Sequence, residues 1–262
     1  MKRGFLSSIG IHISHWFAAV AAGLFCIGQQ ARGADFQQVE FEGASYLIKK
    51  LDPSQAKLSL FLNDTEGKPL NHFDGVNQAL KKEGRRLRWA MNAGMYHGNF
   101  RPVGLCVIDG KEISPINFTN NEKEGNFFLK PNGVFAIRNG KGVVLESTAY
   151  ASAGVTPELA TQSGPMLVID GRIHPRFVAD SKSKLHRNGV GIMNDGRVVF
   201  AITETPVNFY TFARFFRDHL GCKNALFLDG TICSLYSRSM HRNDFRMNLG
   251  PIIGEVEPDG AQ

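Results

Sequence analysis

Asp229 closes the apolar run 225–228 and is followed by Gly230 and Thr231, with Ser234 close behind. A carboxylate fixed by a strand end, with space opened beside it by glycine, suits a general base or a nucleophile. The same residues also read as one more hairpin turn. Arg187 stands in the segment His186-Arg187-Asn188-Gly189-Val190-Gly191. Its planar, permanently charged fork matches a carboxylate or a phosphate, although an arginine before a strand also serves as a surface ion-pair partner. The stretch Gln162-Ser163-Gly164-Pro165 precedes another apolar run. It offers amide, hydroxyl and bare N–H groups to an oxygen-rich ligand. Asn92-Ala93-Gly94-Met95-Tyr96 follows a strand-like run; taken alone, it is a glycine turn whose asparagine caps backbone groups.

Other groups carry weaker signals. Glu204 lies between a strand-like run and Thr205-Pro206, which suits either a second carboxylate or an acid at a helix start. His97 and His174 read as loop histidines before they read as proton carriers. No H-x-H, H-E-x-x-H or EF-hand pattern occurs, so the motifs require no cofactor; a Ca²⁺ on scattered carboxylates would have no motif behind it. Beyond the N-terminal segment three cysteines remain, Cys106, Cys222 and Cys233. We expect three buried thiols, with a Cys222–Cys233 bridge as the alternative, and no C-x-x-C spacing invites zinc.

Hairpins must position these residues. Apolar runs meet at Asp109-Gly110, Asn139-Gly140, Asp170-Gly171 and Asp195-Gly196, pairs that tolerate the positive φ of tight turns. Strands are expected at 103–108, 134–138, 143–146, 166–169, 190–194, 198–203 and 225–228, with 87–91 another. Residues 45–50 and 58–62 read as a further pair. Asp74 is the expected cap of a helix over 76–82 that stops at Gly84. A second helix has Phe209, Phe212, Ala213, Phe216 and Leu220 on one face, with Gly221 ending it. Many strands and two clear helices give α+β, with helices packed on curved, mixed or antiparallel sheets.

Bulk properties narrow the class. Of 262 residues, 43% are hydrophobic and 21% charged, which excludes disorder and leaves room for a sizeable core. Lys2 and Arg3 precede an apolar run, 16–27, too short to span a bilayer comfortably, and small residues at 31 and 33 mark a cleavage point before Ala34. We read 1–33 as a secretory signal peptide and 34–262 as one domain, secreted or periplasmic, with no stable membrane insertion after cleavage. Residues 1–33 hold three basic residues and no acid, so the net charge falls from +6 to +3 without them. A nucleic-acid partner therefore loses its main support.

The ordered motifs resemble the phosphodiester glycosidase family. They are N-A-G-M-Y (92–96), P-V-G-L (102–105) with the turn at 109–110, P-N-G-V-F (131–135), Q-S-G-P-M-L (162–167), R-N-G-V-G (187–191) and A-L-x-L-D-G (225–230). The resemblance spans about residues 40–256 and implies cleavage of a sugar-1-phosphodiester at its anomeric C–O bond. Ordinary glycosidases need two carboxylates, one of them to protonate a poor leaving group. A phosphate monoester leaves as a stabilised anion, with a second pKa of about 6, so a cation that neutralises it matters more. On this reading Arg187 takes the phosphate, Asp229 acts at the anomeric carbon as base or nucleophile, and Glu204 is the second carboxylate. Asn92, Gly94, Gln162, Ser163, Gly164, Asn188, Gly230, Thr231 and Ser234 would bind substrate. The partner is a glycosyl phosphodiester or an envelope glycan. Animal members carry D-G-G where this chain has Asp229-Gly230-Thr231, which leaves the sugar open. A metal-dependent phosphodiesterase cutting P–O and a non-catalytic glycan-binding module are the rival readings.

Overall fold

The computed structural model describes residues 35–121, 125–154 and 156–260, so the expected leader and its cleavage point fall outside the described residues. Four hairpins turn on two residues with positive φ each: Glu42-Gly43, Asp109-Gly110, Asn139-Gly140 and Asp170-Gly171. Such turns carry the twist of the flanking strands, and glycine at the second position removes the Cβ penalty. Asp195-Gly196 differs, since only Gly196 has positive φ (85°).

The chain forms three sheets. The largest has the order β1 (Gln37–Phe41), β2 (Ala44–Leu51), β13 (Val198–Thr203), β12 (Asn188–Met193), β14 (Cys222–Phe227), β10 (Met166–Ile169) and β11 (Arg172–Ile173). A second runs β16 (Arg242–Asn243), β15 (Leu235–Ser237), β4 (Arg85–Asn92), β17 (Ile252–Pro258) and β3 (Leu58–Phe61). The third is β6 (Lys111–Ser114), β5 (Cys106–Ile108), β9 (Leu159–Ser163), β7 (Gly133–Arg138) and β8 (Lys141–Glu146). Every ladder among the described residues is antiparallel. With few helices beside them, the sheets make the chain α+β.

One face of each sheet meets a shared core. Trp89, Phe135 and Phe200, one from each sheet, pack there with ring centroids 5.3 and 5.6 Å apart. The outer faces are covered by helices. α1 (Phe73–Lys81) lays Phe73, Val76 and Leu80 on the second sheet, and α2 (Ser147–Ser152) sets Tyr150 against the third. α3 (Phe209–Arg214) covers the largest sheet and runs into a π segment over Phe215–His219, burying Phe212, Phe215 and Phe216. In β4, Leu87 faces α1 although Trp89 and Met91 face the core. A bulge at Arg88, opposite the step from Glu255 to Val256, reverses the alternation.

Three expectations are corrected. Residues 45–50 and 58–62 do not pair: β2 lies between β1 and β13, while β3 pairs with β17 in another sheet. The segment between them, with Pro53, carries the chain from one sheet to the next. Asp74 does not cap α1. His72 does, its Nδ1 accepting from the Gly75 N–H at 3.0 Å, and Asp74 sits in the first turn. The strand expected at 103–108 forms only over Cys106–Ile108, because the Leu105 N–H goes to a side chain, Gln162 Oε1, at 3.0 Å.

Candidate active site

The chemistry-bearing segments end strands of all three sheets. Asn92, the last residue of β4, is fully buried and ties two sheets together. Its Nδ2 donates to the Asp229 carbonyl at 2.7 Å, and its Oδ1 accepts from Asn188 Nδ2 and from the Ser234 N–H, both at 3.0 Å. Three residues, all more than ninety positions from Asn92, are thus held by one amide. Asn92→Ala would strip the donor from the Asp229 carbonyl and the acceptor from the Ser234 N–H, at about 1–3 kcal/mol for each buried group left unpaired. We expect a loss of about 3 kcal/mol, read as a fall in Tm of about 6–12 °C. An unchanged Tm would show that the amide holds nothing.

Arg187 and Asp229 lie at one rim. β12 pairs with β14 with Gly189 opposite Phe227, and the Leu228 N–H donates to the Asn188 carbonyl at 3.0 Å. The pairing ends at Asn188 and Leu228, and Arg187 and Asp229 are the next residue along each of these two chain segments. Gly230 rests on the same strand entry, where a Cβ would come within 2.8 Å of the His186 carbonyl oxygen. Asp229 is half-buried, and its charge adds to burial in pushing the Tyr96 phenol up to about 12. Tyr96 therefore stays neutral and donates to the Asn248 carbonyl.

The Arg187 guanidinium is only 1% exposed, yet it forms no ion pair with any described carboxylate. Nε donates to the Val207 carbonyl at 2.8 Å and Nη2 to the Ser183 carbonyl at 3.2 Å. Its central carbon lies 3.6 Å from the Phe209 ring centroid, so a cation–π contact replaces a counter-ion. Phe177 stacks on Phe209, and His174 on Phe177, extending the column. Burial lowers the Arg187 pKa to about 10, which leaves it charged at neutral pH. Burial likewise lowers the His174 pKa, against an opposing pull from the Lys130 carbonyl. His174 thus lies buried at the far end of the aromatic column from Arg187.

Ser163 Oγ, at the end of β9, and Asn188 Oδ1 are among the buried polar atoms that have no partner among the described residues, as is His174 Nε2. The first two suit a ligand hydroxyl. Gly164 is a close-approach point, since its Cβ would sit 2.6 Å from Asn132 Cβ. The Gly94 N–H donates to Thr161 Oγ1 at 3.1 Å, placing the 92–96 segment directly on β9. Thr231 belongs to the short turn Gly230–Ile232 that follows Asp229. Ser234 Oγ donates back to the Ile232 carbonyl at 2.6 Å.

Gln162 requires a correction. Its Oε1 accepts from the Leu105 and Asn117 N–H groups at 3.0 and 2.8 Å, and its Nε2 donates to the Asn117 carbonyl and Ser147 Oγ at 2.8 and 2.9 Å. The amide is used up inside the protein, so it positions chain and does not bind substrate. Glu204 also changes meaning. It is not a helix-start acid, because α3 begins at Phe209 under an Asn208 cap and has no acid in its first turn. Its carboxylate instead pairs with Arg242 at 2.8 Å, and Arg242 also holds Asp244 at 2.8 Å. Glu204 still borders the rim, since the preceding Thr203 N–H donates to the Arg187 carbonyl at 2.9 Å.

Cys106, Cys222 and Cys233 are free and buried. Burial holds each thiol above its ordinary pKa, Cys233 most of all, so none is an activated nucleophile. Sequence reasoning missed Tyr96 as a neighbour of Asp229 and Phe209 as the platform under Arg187. Tyr96 closes a motif already singled out, whereas nothing local marks Phe209 as anything but core.

The chain belongs to the phosphodiester glycosidase family, whose profile matches residues 85–244. It is similar to YigE of Escherichia coli (strain K12), an uncharacterised protein, at 31% identity over 188 residues, 72% of each chain. Its fold is similar to that of the zebrafish N-acetylglucosamine-1-phosphodiester alpha-N-acetylglucosaminidase catalytic domain, auto-inhibited by its pro-peptide. That match has a TM-score of 0.57 and 15% identity, and covers 84% of this chain and 81% of the other.

Proposed function

We propose that this protein hydrolyses the glycosidic C–O bond of a sugar-1-phosphodiester, releasing free sugar and a phosphate monoester. The observation that supports the reading is Arg187, a buried cation with no described carboxylate partner, which adjoins the same pair of strand ends as Asp229. Keeping a guanidinium out of water is costly unless something offsets its charge. Carbonyl dipoles and the Phe209 face offset part of it, and an arriving phosphodiester would supply the rest. As the C–O bond breaks, negative charge grows on the departing phosphate, where a fixed cation stabilises the transition state more than the ground state.

Asp229 acts at the sugar side, either adding to the anomeric carbon or taking a proton from the water that does. The hydroxyl of that water ends on C1, its proton on the carboxylate and then solvent, and the bonding electron pair on the phosphate oxygen. Ser163 Oγ and Asn188 Oδ1 are placed to orient hydroxyls. Glu204, tied to Arg242, shapes the field at the rim. Hydrolysis in oxygen-18 water tests the reading: label should appear in the sugar. Label in the phosphate would mean P–O cleavage and a phosphodiesterase. No turnover across a panel of sugar-1-phosphodiesters, with glycan binding retained, would leave a binding module.

A further inference from the structure

An open cleft of about 580 Å³ lies between residues 97–103 and 114–119, a size typical of ligand sites. Both motifs that reach the candidate site also build it. The 92–96 segment runs straight into His97, and the Val103 N–H returns to the Met95 carbonyl at 2.9 Å. From the other side, Gln162, next to Ser163, grips the Asn117 backbone at both its N–H and its carbonyl. Asn117 Nδ2 then donates to the Val103 carbonyl at 2.8 Å, joining the two walls. Gly104 makes room for this, because any Cβ there would collide with the Gln162 amide.

The chemistry of the cleft is one-sided. Arg101 and His97 line it with the polar groups of Asn99, Ser114, Asn117 and Thr119, and among the described residues no carboxylate lines it. Arg101 is exposed and forms no ion pair with a described residue. A cation beside amides and hydroxyls recognises an anionic, hydroxyl-rich segment.

We propose that this cleft binds a second phosphate-bearing unit of an extended substrate, so that the natural substrate is a run of sugars joined through 1-phosphodiesters. The proposal rests on the hydrolytic reading above. Its test compares wild type with Arg101→Ala on two probes: a methyl glycosyl phosphodiester with one unit, and a trimer of the same sugar joined by 1-phosphodiesters. Arg101→Ala should raise KM for the trimer about tenfold, as expected for loss of one charge-assisted hydrogen bond, and leave kcat and KM for the single unit unchanged. Equal effects on both probes, or none on the trimer, would overturn it. If wild type hydrolyses neither probe, the hydrolytic reading fails, and calorimetric binding still decides the cleft. Trimer affinity should then drop about tenfold in Arg101→Ala, and an unchanged affinity would dismiss it. A neutral oligosaccharide of equal length should bind both proteins alike; a tenfold difference there would mean that Arg101 does not read phosphate.

Discussion

Asp229→Asn is expected to abolish turnover on every substrate while leaving the protein folded. One contact that anchors this position uses the Asp229 main-chain carbonyl, which accepts from Asn92, and the substitution leaves that carbonyl in place. On the proposed mechanism, what is lost is the negative charge at the anomeric carbon, and with it the base or nucleophile of the reaction. An amide of the same shape cannot replace it, and the leaving group is irrelevant to a step made on the sugar. Thermal unfolding should show a Tm within a few degrees of wild type, and activity on phosphate and aryl leaving groups should vanish together. Appreciable residual turnover in a folded variant would move the catalytic carboxylate elsewhere, with Glu204 the first residue to examine.

Arg187→Ala should lower kcat on sugar phosphodiesters by about 10²–10³, the value of one donor to developing charge. An aryl leaving group needs less neutralisation, so its loss should be smaller. Arg187 has a second duty, because it also donates to the Val207 and Ser183 carbonyls. Truncation therefore risks loosening the loop over the rim, and two further measurements separate the duties. Added guanidinium ion should restore part of the phosphodiester activity of Arg187→Ala, since the Phe209 face and both carbonyls remain to hold it. Arg187→Lys keeps the charge but not the planar fork, so it should recover less than a tenth of wild-type activity. Equal losses on phosphate and aryl substrates, without guanidinium rescue, would mean that Arg187 organises the pocket and does not read phosphate.

Turn chemistry needs only two to four neighbouring residues, and it was legible without the fold. Asp109-Gly110, Asn139-Gly140 and Asp170-Gly171 demand positive φ at adjacent positions, and each closes a hairpin. The apolar face that begins at Phe209 likewise marked α3, and Gly221, at φ 67°, ends the segment it starts. The ordered motifs marked strand ends as the place for chemistry, because polar residues and glycines cluster where strands stop. Partner choice was not legible. Residues 45–50 and 58–62 have the pattern of a pair, yet each finds a better buried face across more than 140 residues of chain, on β13 and β17. Side-chain direction was equally hidden. Gln162 and Ser163 are adjacent and both polar, but the Gln162 amide is consumed by Leu105, Asn117 and Ser147, whereas the Ser163 hydroxyl has no described partner. Whether a polar group faces a ligand or props up the chain depends on which backbone groups the fold leaves unpaired beside it. Only tertiary structure decides that, and it alone puts Arg187 on an aromatic face with no acid among the described residues to neutralise it.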